Sequence, residues 1–214
     1  MPEFYSSDLC SSSLDEPTAS ASSDIRCKVF MSNALNWWKV DILLNALSAL
    51  NAPVNIECVS ATGKLSPVVF DVASNTVQIS ASSFYNPFSY RRALARGLVY
   101  AFDNARAKVD YTKIDHVSCT SIRGVNMSGE CDLWSKWTDY IGEDPLGMNM
   151  YSMKQRCVRN KVEELITQES TKSSGEIRDS IDRVFYRCFR DHWPFTTEPH
   201  MDTRFRDSPL VRNP

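Results

Sequence analysis

The sequence predicts an α+β fold in which helices pack against a small antiparallel sheet, and three observations lead to this prediction. Apolar residues recur at helical spacing in four segments, short runs rich in valine and isoleucine lie between the first two of them, and turn-forming residues separate those runs. The 214 residues suit one domain with a sizeable core. We place this domain at 32–195, between an arm at 1–31 and a tail at 196–214.

The arm at 1–31 is rich in serine and poor in large apolar side chains. Such a segment buries too little surface to offset the entropy lost on ordering. We therefore expect the arm to be disordered or bound to a partner. The tail contains Pro199, Pro209 and Pro214 and is expected to be extended.

The first predicted elements are one helix and three strands. A helix is predicted over 34–50 because one apolar stripe repeats at helical spacing, formed by Leu35, Trp38, Leu43, Leu44, Leu47 and Leu50. Strands are predicted at 54–59, 68–70 and 76–79. Turn signals at 62–63 and 74–75 separate these strands, which are expected to form the antiparallel sheet.

A central helix is predicted over 90–106, with Ser89 as its N-cap. Its core stripe consists of Leu94, Leu98, Ala101, Phe102 and Ala105. A second face carries polar side chains at helical spacing, namely Arg92, Arg96, Tyr100 and Asp103. Gly97 lies inside this helix, where glycine costs about 1 kcal/mol relative to alanine and often marks the close approach of another backbone.

Two further helices are predicted towards the end of the domain. The first carries an apolar stripe of Val158, Val162, Leu165 and Ile166 and ends near 170–175. The second carries Ile177, Ile181, Val184, Phe185, Cys188 and Phe189 and is stopped by Pro194. Both stripes are expected to face the core.

Composition excludes several classes of function. The net charge of −2 gives no overall field towards nucleic acid or anionic lipid, and no stretch approaches about 18 consecutive apolar residues. The 7 glycines form no phosphate-binding loop, and His116, His192 and His200 do not stand at metal-ligand spacing. We therefore expect no transmembrane segment, no cofactor and no small-molecule substrate, and we do not expect nucleic-acid binding.

Several blocks in order along residues 35–200 resemble one family. They are 101–106, 108–112, 116–119, 122–123, 128–131, 157–159 and 184–195. The corresponding family patterns are H-E-L-I-H-A-[YF]-D-x-C-R-x-x-V-D-W and A-C-S-E-[IV]-R-A-x-x-L-S-G-[DE]-C. The chain thus resembles peptidase family M76, the mitochondrial inner-membrane metalloproteases that process and help assemble the ATP synthase proton-channel subunit.

The resemblance implies a zincin-like minimal metalloprotease fold, but the active-site helix departs from the family. In H-E-x-x-H the two histidines bind zinc and the glutamate is the general base. Those positions hold Arg96, Gly97 and Tyr100, while Asp103 matches a family aspartate and Ser121 replaces a family glutamate. An arginine repels Zn²⁺ and a glycine cannot accept a proton. We predict a degenerate site without catalytic or metal-binding residues, in which Arg96 pairs with Asp103 or another carboxylate.

Four of the seven cysteines, Cys119, Cys131, Cys157 and Cys188, fall on family cysteine positions. In an oxidising intermembrane space they can form disulfides, and we expect at least one among the four. In a reducing compartment they are small buried apolar residues instead. The sequence leaves the pairing open.

We predict that the chain is a catalytically inactive homologue. It is expected to act as a structural subunit or assembly factor of a mitochondrial inner-membrane complex, either ATP synthase or a respiratory complex, on the intermembrane-space side. Its partners are then protein subunits of that large complex. One alternative is an active or substrate-specific zinc endopeptidase or processing chaperone. The other is a mitoribosome-associated protein that uses Arg91, Arg92 and Arg96.

Overall fold

A computed structural model describes residues 19–59, 66–132, 150–196 and 199. Within these ranges the chain forms six α-helices, three strands and a short 3-10 turn. The helices are α1 (Ala19–Leu35), α2 (Trp38–Ala49), α3 (Pro87–Ala107), α4 (Ile114–Ser128), α5 (Met150–Glu169) and α6 (Ser174–Arg190). The strands are β1 (Asn55–Cys58), β2 (Val68–Asp71) and β3 (Thr76–Ile79), and the turn is Ala81–Ser83. The α+β class is confirmed.

The sheet is mixed, so the prediction of an antiparallel sheet is wrong. Its strand order is β1-β3-β2, with β2 antiparallel to β3 and β1 parallel to β3. The central strand is the most buried, because Val77 and Ile79 are both inaccessible to solvent. A parallel pair needs a long connection, and here β2 lies within the connection from β1 to β3. The alternation of side chains along a strand does not reveal this direction.

Helix α1 covers residues 19–31 of the arm that was predicted over 1–31, while residues 1–18 lie outside the described residues. Tertiary contacts order it, because Cys27 is buried and disulfide-bonded to Cys58, and the Phe30 ring packs edge-on against Tyr90. The helix predicted over 34–50 is interrupted after Leu35, since Trp37 has an extended backbone before α2 begins.

Helix α3 is the centre of the molecule and contacts α1, α2, α4, β2 and β3. It begins with Pro87, and Asn86 is the N-cap, because its side chain accepts a hydrogen bond from the Ser89 backbone nitrogen. The predicted cap at Ser89 is therefore wrong. The helix starts three residues earlier than the predicted start at 90, because Asn86 and Pro87 set its N-terminus and neither belongs to the apolar stripe.

Two hydrophobic clusters lie on opposite sides of the contact between α3 and α4. The first combines α1, α2, the sheet and α3, whereas the second combines α4, α5 and α6. Helix α4 was not predicted, because much of its buried surface is small or polar, including Ser118, Ser121, Gly124 and Ser128. Gly124 lets α4 lie close to Arg96 and Tyr100 of α3, whereas Ser118 meets Ser180 of α6.

Candidate functional site

A groove of about 520 Å³ runs beside the part of α3 where the family resemblance places the metal site. Helix α3 contributes Arg92 and Arg96, and α5 contributes Lys161 and Glu164 from the opposite wall. The remaining lining residues are Pro67, Phe84, Ser89, Ala93, Glu130, Cys131, Cys157, Leu165 and Gln168. The groove therefore combines cationic, anionic and apolar surface.

Arg96 is only 3% exposed and forms an ion pair with Glu130. Its Nη1 donates a hydrogen bond to Oε2 of Glu130 at a distance of 2.9 Å. Burial alone would lower the pKa of Arg96, but the negative charges of Glu130 and Glu169 hold that pKa above its ordinary value. The first motif position is thus a charged side chain paired with a carboxylate. Arg96 is also withdrawn from the surface on which the mitoribosome alternative depends.

Tyr100 lies next to Arg96 on the same helix face and meets α4. Its hydroxyl is hydrogen-bonded to Ser121, and burial raises the pKa of Tyr100 to about 12. Gly124 provides the space for these side chains. A Cβ atom at Gly124 would lie 2.6 Å from Cε1 of Tyr100 and 3.0 Å from Cγ of Arg96. The sequence contained a signal for this close contact, because Gly124 replaces an alanine of the family pattern.

Gly97 faces the sheet. A Cβ atom there would lie 2.8 Å from Cγ1 of Val77 and 2.9 Å from Cγ2 of Val68. The close approach predicted from the glycine is therefore made by valine side chains, whereas a backbone was expected. A larger residue at 97 requires both strands to move, because neither branched side chain can turn away cheaply.

Asp103 belongs to a separate network. Its carboxylate accepts hydrogen bonds from Nε of Arg123 and Oγ1 of Thr120, each at a distance of 2.9 Å, and from Nε of Arg106 at a distance of 3.1 Å. Arg123 also donates to the backbone oxygens of Asp191 and Trp193. Of the two partners predicted for Arg96, Asp103 is thus engaged elsewhere, and Glu130 is the carboxylate that pairs with it.

The residues at the motif positions do not fit a zinc ion. Structural and catalytic zinc sites use cysteine, histidine, aspartate or glutamate, and three protein ligands is the usual minimum. Across the parts of the chain that the structure describes, no group of three such side chains is arranged to hold a metal. We derive no step through zinc, and the absence of a bound metal stays a prediction that elemental analysis of the purified protein checks.

Three disulfides connect the described elements. Cys119 is bonded to Cys188 between α4 and α6, and Cys131 is bonded to Cys157 at the edge of the groove. The third joins Cys27 of α1 to Cys58 of β1, a pairing that the sequence did not suggest. Because Cys131 follows Glu130 directly, its disulfide fixes the backbone that carries the partner of Arg96.

The comparisons with known proteins identify the family. The Peptidase M76 family matches residues 25–196. The chain belongs to this family. It is 30% identical over 172 residues to the mitochondrial inner membrane protease ATP23 homolog of Homo sapiens, which covers 78% of the chain and 67% of the relative. The homologs of Danio rerio and Xenopus laevis are each 27% identical, covering 62% and 74% of their own lengths. No solved structure matches.

Membership in Peptidase M76 corrects the main functional prediction. The relatives are described as mitochondrial inner membrane proteases, so the mitochondrial location is confirmed and the prediction of an inactive structural subunit is wrong. The prediction of inactivity rested on the three replaced motif residues, Arg96, Gly97 and Tyr100. No helix in the described parts of this M76 member is long and apolar enough to cross a membrane.

Proposed function

We propose that this chain acts on polypeptides at the mitochondrial inner membrane as a substrate-specific processing protease or processing chaperone with a zincin-like fold. Two facts support the proposal: the family is a peptidase family, and the human relative is a mitochondrial inner membrane protease. The observation that carries it is the groove beside α3, whose lining includes Arg96, the first of the three motif positions.

The lining of the groove suits an extended polypeptide. A peptide backbone presents alternating donors and acceptors, so a site that binds it needs both kinds of group beside apolar surface. Lys161 can donate hydrogen bonds to a substrate and Glu164 can accept them. The two side chains lie together, with Nζ of Lys161 3.2 Å from Oε2 of Glu164. Phe84 and Leu165 supply apolar contact for side chains of the substrate.

The ion pair of Arg96 and Glu130 has a positioning role in this proposal. It forms a fixed part of the groove, because Arg96 is buried and Glu130 is held by the neighbouring disulfide. A rigid site loses less conformational entropy when it binds a flexible peptide. The described residues of the groove would bind and orient the polypeptide.

We place the groove on the intermembrane-space side. Six of the seven cysteines form disulfides in the described structure. Disulfides persist in oxidising compartments and are rare where thiols are kept reduced. Retention of all three bonds in protein isolated from mitochondria, measured by the mass shift after thiol alkylation, supports this side.

The test blocks the groove from α5. Gln168 lines the groove and is exposed, so Gln168→Trp adds bulk there, while Asn160→Trp adds the same bulk to α5 outside the groove. Mitochondria depleted of the protein are expected to accumulate the uncleaved precursor of an inner-membrane protein. Wild type and Asn160→Trp should clear the precursor, and Gln168→Trp should not. Depletion without any precursor, or equal rescue by both variants, contradicts the proposal.

A further inference from the structure

The loop at 85–88, whose last two residues are the first two of α3, exposes two aromatic side chains. Tyr85 is fully exposed and Phe88 is 55% exposed. The loop is held on both sides, because Asn86 caps α3, Pro87 fixes the backbone of the first helical residue, and Phe84 is buried against the ring of Tyr90. The two aromatic rings are therefore presented by an ordered backbone.

Helix α1 presents a similar surface beside this loop. Its outer side exposes Ile25 and Val29, by 62% and 59%, next to the exposed cations Arg26 and Lys28. The two segments are neighbours, because α1 contacts the 3-10 turn before the loop. Phe30 and Phe84 also pack edge-on against the same ring, that of Tyr90, at 5.6 and 5.5 Å between centroids.

The charge around these apolar side chains is positive. From 72 to 102 the chain contains no aspartate or glutamate. Of the three arginines in this stretch, Arg91 lies beside the exposed aromatic side chains, whereas Arg92 lines the groove and Arg96 is buried against Glu130. The guanidinium of Arg91 lies 4.7 Å from the Phe88 ring and 4.8 Å from the Trp37 ring, so a cation is stacked beside the exposed aromatic residue. The negative charges of Glu130 and Asp132 interact with Arg92 on the groove side. Helix α1 contains two cations, Arg26 and Lys28, and one acidic residue, Asp24.

Aromatic and aliphatic side chains beside arginine and lysine fit the boundary between lipid headgroups and acyl chains. Tyrosine is enriched at this depth, and each cation near an anionic surface adds attraction. The relatives are inner-membrane proteins, so a bilayer is within reach of this surface.

We propose that the loop at 85–88 and the outer side of α1 form a membrane-docking surface for a bilayer containing anionic phospholipid. Tyr85 and Phe88 enter the headgroup region, and Arg26 and Lys28 contact lipid phosphates. The net charge of −2 makes this attraction local to the surface. Docking there goes beyond the processing role and does not depend on it.

The experiment measures binding of the full-length, disulfide-bonded protein to vesicles by sedimentation. One set contains phosphatidylcholine alone and the other adds phosphatidylglycerol. We expect binding to the anionic set, weakened by salt. The double variant Tyr85→Ser/Phe88→Ser should abolish most of the binding, and Arg26→Gln/Lys28→Gln should lower it by about fivefold for each cation removed.

The controls lie on α6, where Tyr186 is 61% exposed and Arg187 is exposed. Tyr186→Ser and Arg187→Gln should leave vesicle binding unchanged, and unaltered thermal unfolding shows that each variant is folded. Equal binding to neutral and anionic vesicles, or equal loss in the α6 controls, overturns the proposal. So does a dimer in light scattering that Tyr85→Ser/Phe88→Ser dissociates, because the surface then belongs to a second copy.

Discussion

Two buried cations, Arg123 and Lys39, show opposite ways of placing a charge inside this protein. Arg123 is 1% exposed, and its guanidinium reaches the Asp103 carboxylate and two backbone oxygens of the segment after α6. Lys39 is inaccessible to solvent, and its Nζ makes a longer contact with a carboxylate, 3.5 Å from Oδ2 of Asp132. Its other neighbours include the rings of Trp37 and Trp38, at 5.3 and 5.6 Å.

The difference follows from the chemistry of the two side chains. An arginine cannot release its proton, so its donors must all be satisfied when it is buried. A lysine can become neutral, and burial lowers the pKa of Lys39 to about 8 although Asp132 acts against this. Arg123 is therefore a structural link between α3, α4 and the end of the domain, whereas Lys39 is a tolerated charge. Arg96 lies between these extremes.

The largest effect is expected for Arg123→Met. The change leaves Asp103 buried with one cation fewer and removes the contacts to the backbone after α6, so the free energy of unfolding should fall by about 3–5 kcal/mol. Denaturation in urea measures it. Arg187→Met, at an exposed position of α6, is the control and should change stability by less than about 0.5 kcal/mol. A loss below about 1 kcal/mol for Arg123→Met would refute the structural role.

Arg96→Met should have an intermediate effect, a loss of about 1–3 kcal/mol. Glu130 is 16% exposed, so it can regain water when its partner is removed. A double-mutant cycle with Glu130→Gln isolates the pair, and the coupling energy should reach about 1 kcal/mol or more. Additive effects of the two single variants would show that the ion pair contributes little.

Lys39→Met should change stability by less than about 1.5 kcal/mol in either direction at neutral pH, because an apolar side chain of similar length replaces a poorly solvated charge. Asp132 keeps a second cation, since Nζ of Lys154 lies 3.2 Å from its Oδ1. Urea denaturation alongside Arg123→Met checks the order. A larger loss from Lys39→Met than from Arg123→Met would reverse the comparison of the two cations.

The dependence of stability on pH tests the charge of Lys39 in the folded protein. Between about pH 8 and the ordinary pKa of 10.5, Lys39 is neutral in the folded chain and protonated in the unfolded chain. The unfolded state then binds more protons, so the Lys39 contribution to stability rises with pH. Above about pH 10 the raised pKa of Tyr100 works in the opposite direction.

The measurement for this prediction compares wild type with Lys39→Met at pH 7.5, 8.5 and 9.5, without reducing agent. The difference in unfolding free energy should shift by about 1–2 kcal/mol in favour of wild type as the pH rises. A constant difference over this range would mean that Lys39 keeps its proton in the folded protein.

Much of the fold could be predicted because local patterns repeat. Helices α3 and α6 were found from apolar stripes, and the family from blocks of sequence around them. Helix α4 was missed because serine and glycine form part of its buried face, and α1 was missed because its order depends on Cys58, 31 residues beyond Cys27. Hydrophobic periodicity carries no information about a contact of that kind.

The sequence by itself determined that Arg96, Tyr100 and Asp103 lie along one helix, because helical spacing is a local property. Only the tertiary structure decided their partners. Glu130 reaches Arg96 from 34 residues away and Arg123 reaches Asp103 from 20 residues away, across the contact of α3 with α4. Which cation meets which carboxylate depends on how two helices pack, and that packing depends on small residues such as Gly124 whose role appears only when both helices are in place.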